Sequence, residues 1–323
     1  MCTAIALKQN SRFFGRNLDL EYHFNEQIVI APRNFELKFR HTKPILTHYA
    51  FFGVATVIDG YPLYYDAANE HGLAIAGLNF TENAKFHAFD SNEYNIAQFE
   101  IIPFILSQSK SLTDAKTLLE KIALVCTPFN EKTSVSELHF FITDGINSLT
   151  AEPQDNKFMI YENPYGVLTN NPPFSFHKEN INNYISLSST SPKNAFSPDL
   201  PLKLYSKGMG AIGLPGDLSS ASRFIRAAFT KSKALKKIKK TEELSQTFHI
   251  LESVFQVEGC VNTNGFFEKT QYISVVNLDS LVYYYKTYDN SRVTGVKMKS
   301  EHFEKDELVK YHFRYKEDIF FEN

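Results

Sequence analysis

The sequence predicts an α+β protein in which antiparallel sheets are covered by helices, and three observations point there. Strand-like runs crowd both ends of the chain, helical periodicity is grouped between them, and several strand runs are joined by tight turns at Asp59-Gly60, Asp144-Gly145 and Leu278-Asp279-Ser280. With 323 residues, 43% hydrophobic and 22% charged, the chain can bury a large core. No Pro/Gly/Ser-rich linker divides it. A single domain over 1–323 is expected, because the candidate site residues come from both halves.

The elements follow in order. Residues 2–8 and 11–16 are β-type runs around the polar turn Gln9-Asn10-Ser11, so the chain opens on a hairpin. Further strands are expected at 26–32, 50–58 and 73–80. Helical patterns occupy about 95–109 and 111–125, the second with Leu112, Ala115, Leu119, Ile122 and Ala123 on one stripe and Lys116, Glu120 and Lys121 opposite. Strands return at 137–143, 147–152 and 157–162, and a helix is expected at 176–187. The Ser, Pro, Asn and Lys-rich segment 188–212 is too long for an ordinary connection. Helices at 219–237 and 241–256 and strands at 270–277 and 281–287 complete the reading, which contains no repeat and no low-complexity tract.

Several function classes are disfavoured. The net charge of -2 exerts no pull on nucleic acid, and the one basic cluster, 233–240, reads as a solvated helix end followed by Glu242 and Glu243. Cys2, Cys126 and Cys260 lack CxxC spacing and an even-numbered framework, so Cys126 and Cys260 are expected as buried small apolar residues. No charged segment followed by an apolar run opens the chain, and no apolar run approaches the ~18 residues of a membrane span, so a cytoplasmic protein without membrane insertion is expected. Among ten histidines there is no HExxH or HxH spacing; His71 precedes a glycine in a loop, and His139 lies in the apolar run ELHFFITD, where a structural role is expected. Neither a metal nor a cofactor is expected.

Cys2 carries the chemistry. Loss of Met1 would place a thiol and a free α-amine on one residue, and an amine titrating near ~8 can take the proton of a thiol titrating near ~8.5. Such a residue is a nucleophile with its own base. The hairpin returns Arg16 and Asp19 beside it, where a guanidinium favours thiolate and a carboxylate can orient an ammonium; the alternative is a plain surface ion pair.

Met1-Cys2-Thr3 followed by Phe14-Gly15-Arg16-Asn17-Leu18-Asp19 resembles the start of the choloylglycine hydrolase family, which contains bile salt hydrolases and penicillin V acylases. Further matching motifs are Asn69-Glu70-His71-Gly72-Leu73 leading to Ala76-Gly77-Leu78-Asn79-Phe80, then Gly166-Val167-Leu168-Thr169-Asn170-Asn171-Pro172, then Gly213-Leu214-Pro215-Gly216-Asp217 with Ser220-Ala221-Ser222-Arg223-Phe224. The resemblance implies a four-layer αββα sandwich of the N-terminal nucleophile hydrolase type. It also implies an oxyanion pair at Asn79 and Asn170, with Asn171 as the alternative partner if the register differs by one. Both asparagines end apolar runs before turns, where a turn-forming role is the alternative. Arg223, in the first turn of a helix where positive charge is disfavoured, is implied to belong to the active-site network; a plain surface arginine is the alternative.

The resemblance further implies an amidase acting on glycine- or taurine-conjugated bile salts, with Leu18, Ile58, Tyr65, Phe129 and Leu138 lining the apolar pocket, although each of these could equally be core. Asn79 favours bile salts, since many penicillin V acylases place tyrosine there. Tyr65 departs from the small residue common at its position in bile salt hydrolases. Penicillin V or an N-acyl-homoserine lactone is the alternative substrate, and a non-catalytic binder of amphipathic ligands that retains Met1 is the alternative class. The extension at 188–212 is implied to grip neighbouring subunits in a homotetramer.

Overall fold

The computed structural model describes residues 1–91, 93–155, 157–237 and 239–323. Ile238, inside the basic run 233–240, lies outside them. The chain opens with β1 (Cys2–Lys8), β2 (Arg12–Leu20), β3 (Gln27–Ala31), β4 (Phe51–Ile58), β5 (Tyr61–Asn69) and β6 (Ala74–Asn79). A crossover follows, made of β7 (Tyr94–Ala97), α1 (Ile101–Leu106), α2 (Leu112–Leu119) and β8 (Ile122–Val125). Then come β9 (Leu138–Thr143), β10 (Ser148–Gln154), β11 (Lys157–Glu162), β12 (Val167–Leu168), α3 (Phe174–Asn180), α4 (Ser220–Lys233) and α5 (Lys240–Glu252). The chain closes with β13 (Val261–Thr263), β14 (Phe266–Asn277), β15 (Val282–Thr287), β16 (Asn290–Lys297) and β17 (Val309–His312).

Two antiparallel sheets form the middle of the molecule. One runs β12-β1-β2-β14-β15-β16, with β13 also on β14; the other runs β11-β10-β9-β6-β5-β4-β3-β17. They face each other through Phe14 on Phe141 and Phe52 on Tyr283, with ring centroids 6.4 and 6.0 Å apart. Helices α4 and α5 cover the outer face of the first sheet, where Phe224, Ile225, Phe248 and Leu251 join the same core as Ile5 and Leu7. Helix α1 covers the second sheet, its apolar run IIPFIL wholly buried with Ile75, Phe140 and Ile142. These layers are the αββα sandwich of an α+β protein, and the period-2 alternation along each central strand divides its side chains between sheet and helix.

Local chemistry explains the joints. Asp59 (φ 50°) and Gly60 (φ 79°) both adopt the left-handed conformation of a two-residue hairpin turn between β4 and β5. Gly53 in β4 is required by close approach, since a Cβ there would lie 2.0 Å from the Asp66 carbonyl. Ser111 caps α2 by accepting from Asp114 N.

The structure departs from the sequence reading at several points: β12, β13, β16 and β17 are not among the expected strands, and the expected helix 176–187 is α3 followed by a 3₁₀ turn. The expected helix 95–109 is a short strand, a 3₁₀ turn and a six-residue helix, and the expected helix 111–125 ends at Leu119. Tyr94–Ala97 and Ile122–Val125 instead pair in parallel as β7 and β8, because short apolar runs fit a helix stripe and a buried strand equally well. Strand β5 is not among the expected strands; it carries Pro62, a residue that counts against a central strand. The β5–β6 ladder, however, covers only Asp66–Ala68, so Pro62 lies where no second neighbour needs its missing N–H. Cys126 and Cys260 are exposed, not buried, because both fall in loops beyond the strands and helices that build the core.

Candidate active site

Cys2 starts β1 at 3% exposure, directly opposite Leu18 of β2. Strand alternation puts Cys2, Arg16 and Leu18 on the face toward the second sheet. There the Arg16 guanidinium, fully buried, donates from Nη2 to Cys2 Sγ at 2.9 Å and from Nη1 to the Tyr65 carbonyl at 2.8 Å. Asp66, the next residue of β5, stands 3.7 Å from Nη1. Its carboxylate accepts from the phenols of Tyr272, at 3.0 Å, and Tyr283. Burial opposes the charge on Arg16, yet Cys2, Tyr272 and Asp66 more than compensate and hold the guanidinium firmly protonated. Asp66 is pushed upward by burial, against the pull of Arg16 and both phenols.

Asp19, an odd number of residues from Arg16, faces the helical side instead. Its Oδ1 accepts from Thr270 Oγ1 at 2.7 Å and its Oδ2 from Gln256 Nε2 at 3.3 Å. Burial pushes this carboxyl up, although Arg223 draws it down. Arg223 reaches in from α4 with no exposure, donating to the Cys2 carbonyl, to Thr3 Oγ1 at 2.8 Å and to Asn170 Oδ1 at 2.8 Å, and lies 3.9 Å from Asp19. These acceptors explain a cation near a helix N-terminus. The Met1 ammonium sits on the Asp19 carbonyl and on Glu268 Oε2 at 2.7 Å, while Asp19 N donates to the Met1 carbonyl at 2.9 Å.

Asn170, not Asn171, touches Cys2: Cys2 N donates to Asn170 Oδ1 at 2.7 Å, whereas Asn171 Nδ2 turns to the Thr81 carbonyl. Asn170 Nδ2 donates to the Asn79 carbonyl at 2.7 Å, tying together the ends of two strands. Phe80 N bonds Glu137 O in the β6–β9 ladder, so the backbone N–H of Asn79 is turned away from β9, to the same side as its carbonyl. The Asn79 side chain is exposed and accepts from Thr81 Oγ1; its backbone is what faces Asn170. Behind Asn170, His177 Nε2 contacts its carbonyl at 3.0 Å, and burial lowers this imidazole to about 4, keeping it neutral.

The pocket candidates divide. Leu18 lies beside Cys2 and Tyr272, and Tyr65 packs against the inter-sheet core with its hydroxyl 3.0 Å from Thr56 Oγ1. Ile58 follows Thr56 by two residues, on the same face by alternation. Leu138 instead shares its face of β9 with Phe140 and Ile142 and packs into the helix-covered core. Phe129 packs at a tilt against Tyr61 and edge-on against Phe99, beneath the Arg40 guanidinium. A groove of about 490 Å³, lined by Leu7, Tyr184, Ile225 and Lys231 among others, opens four or more residues along β1 from Cys2. Sequence reasoning missed Asp66, Tyr272, Tyr283, His177 and Glu268, each of which reaches the site from a strand or helix with no motif of its own. Among the described residues no group of three His, Cys, Asp or Glu is arranged to hold a metal, and no helix is long and apolar enough to cross a membrane.

Comparison with known proteins agrees on one family. Residues 2–311 match the model of the linear amide C–N hydrolases, choloylglycine hydrolase family. A bile salt hydrolase/transferase of Lactiplantibacillus plantarum is 45% identical over 315 residues, covering 97% of each chain. The crystal structure of a mutant conjugated bile acid hydrolase from Clostridium perfringens superposes with a TM-score of 0.92 at 33% identity, covering both chains fully. A penicillin V acylase from Agrobacterium tumefaciens shares the fold, with a TM-score of 0.75 at 18% identity over 96% of this chain and 90% of that one.

Proposed function

The chain belongs to the choloylglycine hydrolase family of linear amide C–N hydrolases, and from that premise we propose that it hydrolyses the amide bond of glycine- or taurine-conjugated bile salts through Cys2. The observation that carries the reading is the Cys2 thiol, buried and held 2.9 Å from the Arg16 guanidinium while its backbone nitrogen meets Asn170. Once Met1 is removed, that nitrogen is an α-amine placed to take the thiol proton, and Arg16 favours the thiolate it leaves. Sulfur attacks the amide carbonyl. The Asn79 backbone N–H and Asn170 Nδ2 receive the oxyanion, and Asp19 with Arg223 sets the field around the amine. The amine then protonates the departing glycine or taurine nitrogen, and water hydrolyses the thioester to free bile acid.

In this reading Leu18, Ile58 and Tyr65 form the sterol-facing wall, whereas Leu138 belongs to the helix-covered core and Phe129 to the cluster with Tyr61 and Phe99. Release of glycine or taurine from conjugated bile salts, measured beside cleavage of penicillin V, tests the assignment. Faster release from the conjugates is the expected result, and preferential cleavage of penicillin V would overturn it. Met1 makes three polar contacts here, so a chain retaining it would be a folded, silent binder of amphipathic ligands; intact mass distinguishes the two.

We read 1–323 as one domain and the segment 188–212 as its assembly arm. Phe196, Leu200, Leu202, Leu204 and Tyr205 are all exposed along it, an apolar display that a homotetramer would cover. Light scattering at four chain masses would support this, and a monomer would refute it. Two exposed unpaired thiols, Cys126 and Cys260, fit a reducing compartment, and we place the enzyme in the cytoplasm.

A further inference from the structure

Arg16 has two claimants. Its Nη2 donates to Cys2 Sγ at 2.9 Å, while Asp66 Oδ2 stays 3.7 Å from Nη1, beyond hydrogen-bond range. Arginine beside a carboxylate in a site without solvent ordinarily closes into a bidentate pair with N–O separations near ~2.8 Å. Both side chains are wholly buried, where an arginine and a carboxylate gain most from direct contact. The carboxylate is occupied elsewhere: Oδ2 accepts from Tyr272 at 3.0 Å and Oδ1 from Tyr283.

We propose that Tyr272 and Tyr283 are positioning residues that hold the Asp66 carboxylate back from Arg16, so that the guanidinium donates to the Cys2 sulfur instead of closing an ion pair with Asp66. The two phenols come from β14 and β15 of the first sheet, whereas Asp66 belongs to β5 of the second, so the spacing is set by how the sheets pack. The backbone of Asp66 is fixed on both sides, opposite Val54 and Ala76. Burial keeps both phenols protonated far above their ordinary range, so they remain donors. Cys2, Asp66, Tyr272 and Tyr283 face the guanidinium, and Tyr65 and Asp19 also lie within its field. This inference rests on the amidase reading only where turnover is measured.

The test is a double variant, Tyr272→Phe with Tyr283→Phe, and a triple variant that adds Asp66→Asn. Iodoacetamide alkylation of the Cys2 peptide is followed against pH by mass spectrometry, which separates it from the exposed Cys126 and Cys260. With both anchors gone, Asp66 closes on Arg16 and draws it off the sulfur. The alkylation midpoint is expected to rise by about one unit. Neutral-pH kcat on a conjugated bile salt is expected to fall about tenfold, with KM within about twofold. Removing the freed carboxylate in the triple variant returns Arg16 to the thiol and restores both readouts to within about threefold. That rescue is foreign to tyrosines that merely pack. A wild-type midpoint in the double variant, or a triple variant no better than the double, would overturn the proposal. If the double variant does not fold, the single variants are expected to shift the midpoint in the same direction, and an unchanged midpoint in both also overturns it. A shifted alkylation profile with no hydrolysis of any conjugate by the parent enzyme would remove the substrate reading and leave this one standing.

Discussion

Arg16 Nη2 lies 2.9 Å from Cys2 Sγ, the two residues diagonal across the β1–β2 pair on one buried face. A guanidinium so placed serves both the Cys2 sulfur and the buried Asp66. Arg16→Gln leaves Asp66 without its counter-charge and is expected to cost about 3 kcal/mol of stability, read by denaturant titration. Arg16→Lys keeps the charge and loses the planar fork, so it should remain folded with kcat about tenfold lower. A lysine variant with parental kcat would show that charge alone suffices.

Cys2→Ala is expected to fold, to give circular dichroism like the parent, and to release amino acid from conjugated bile salts at less than about one-thousandth of the parental rate. Parental protein that still carries Met1 by intact mass should be equally silent, because the Cys2 nitrogen is then an amide. Turnover by either species would remove the nucleophile from the mechanism.

Asp19→Asn separates function from stability. Burial holds this carboxyl above its ordinary range, and a carboxyl raised on folding stabilises the fold below its unfolded pKa and loses that contribution as pH rises through the folded value. The variant should therefore have a Tm at or above that of the parent at pH 7, with the gap closing toward about pH 4. Its kcat should fall about tenfold or more, with KM little changed. A Tm several degrees below the parent at pH 7 would contradict the direction.

His177 sets an acid limb. Its imidazole, lowered to about 4 by burial, contributes stability above the unfolded value of about 6.5 that is lost as pH falls toward about 4, at most about 3 kcal/mol. Protonation would put a second N–H on Nδ1, which is buried without a partner. Glu152 favours the charge and Arg223 and His139 oppose it, so burial decides the sign. His177→Gln, which keeps a donor for the Asn170 carbonyl, should flatten Tm between pH 6.5 and 4; an unchanged acid slope would assign it to other groups.

Much of the site was legible because its motifs are local. A cysteine behind the initiator, a turn, and an arginine and aspartate on the returning strand need only a hairpin to meet, and β1 and β2 form one. Asn170 and Arg223 were legible through their motif neighbours. What escaped was long-range: Asp66, Tyr272 and Tyr283 stand in no motif, and only the packing of two sheets brings both phenols to one carboxylate.

The α+β class, the candidate Cys2 and the strand that carries Arg16 can be read from the chain alone, since they follow from local pattern and a short turn. Which face each residue takes depends on packing: Asp19 toward the helices, Arg16 toward the second sheet, Leu138 away from Cys2. The physical reason is that strand alternation assigns two faces without saying what covers each. That is settled when the sheets pack and the buried polar groups must find partners.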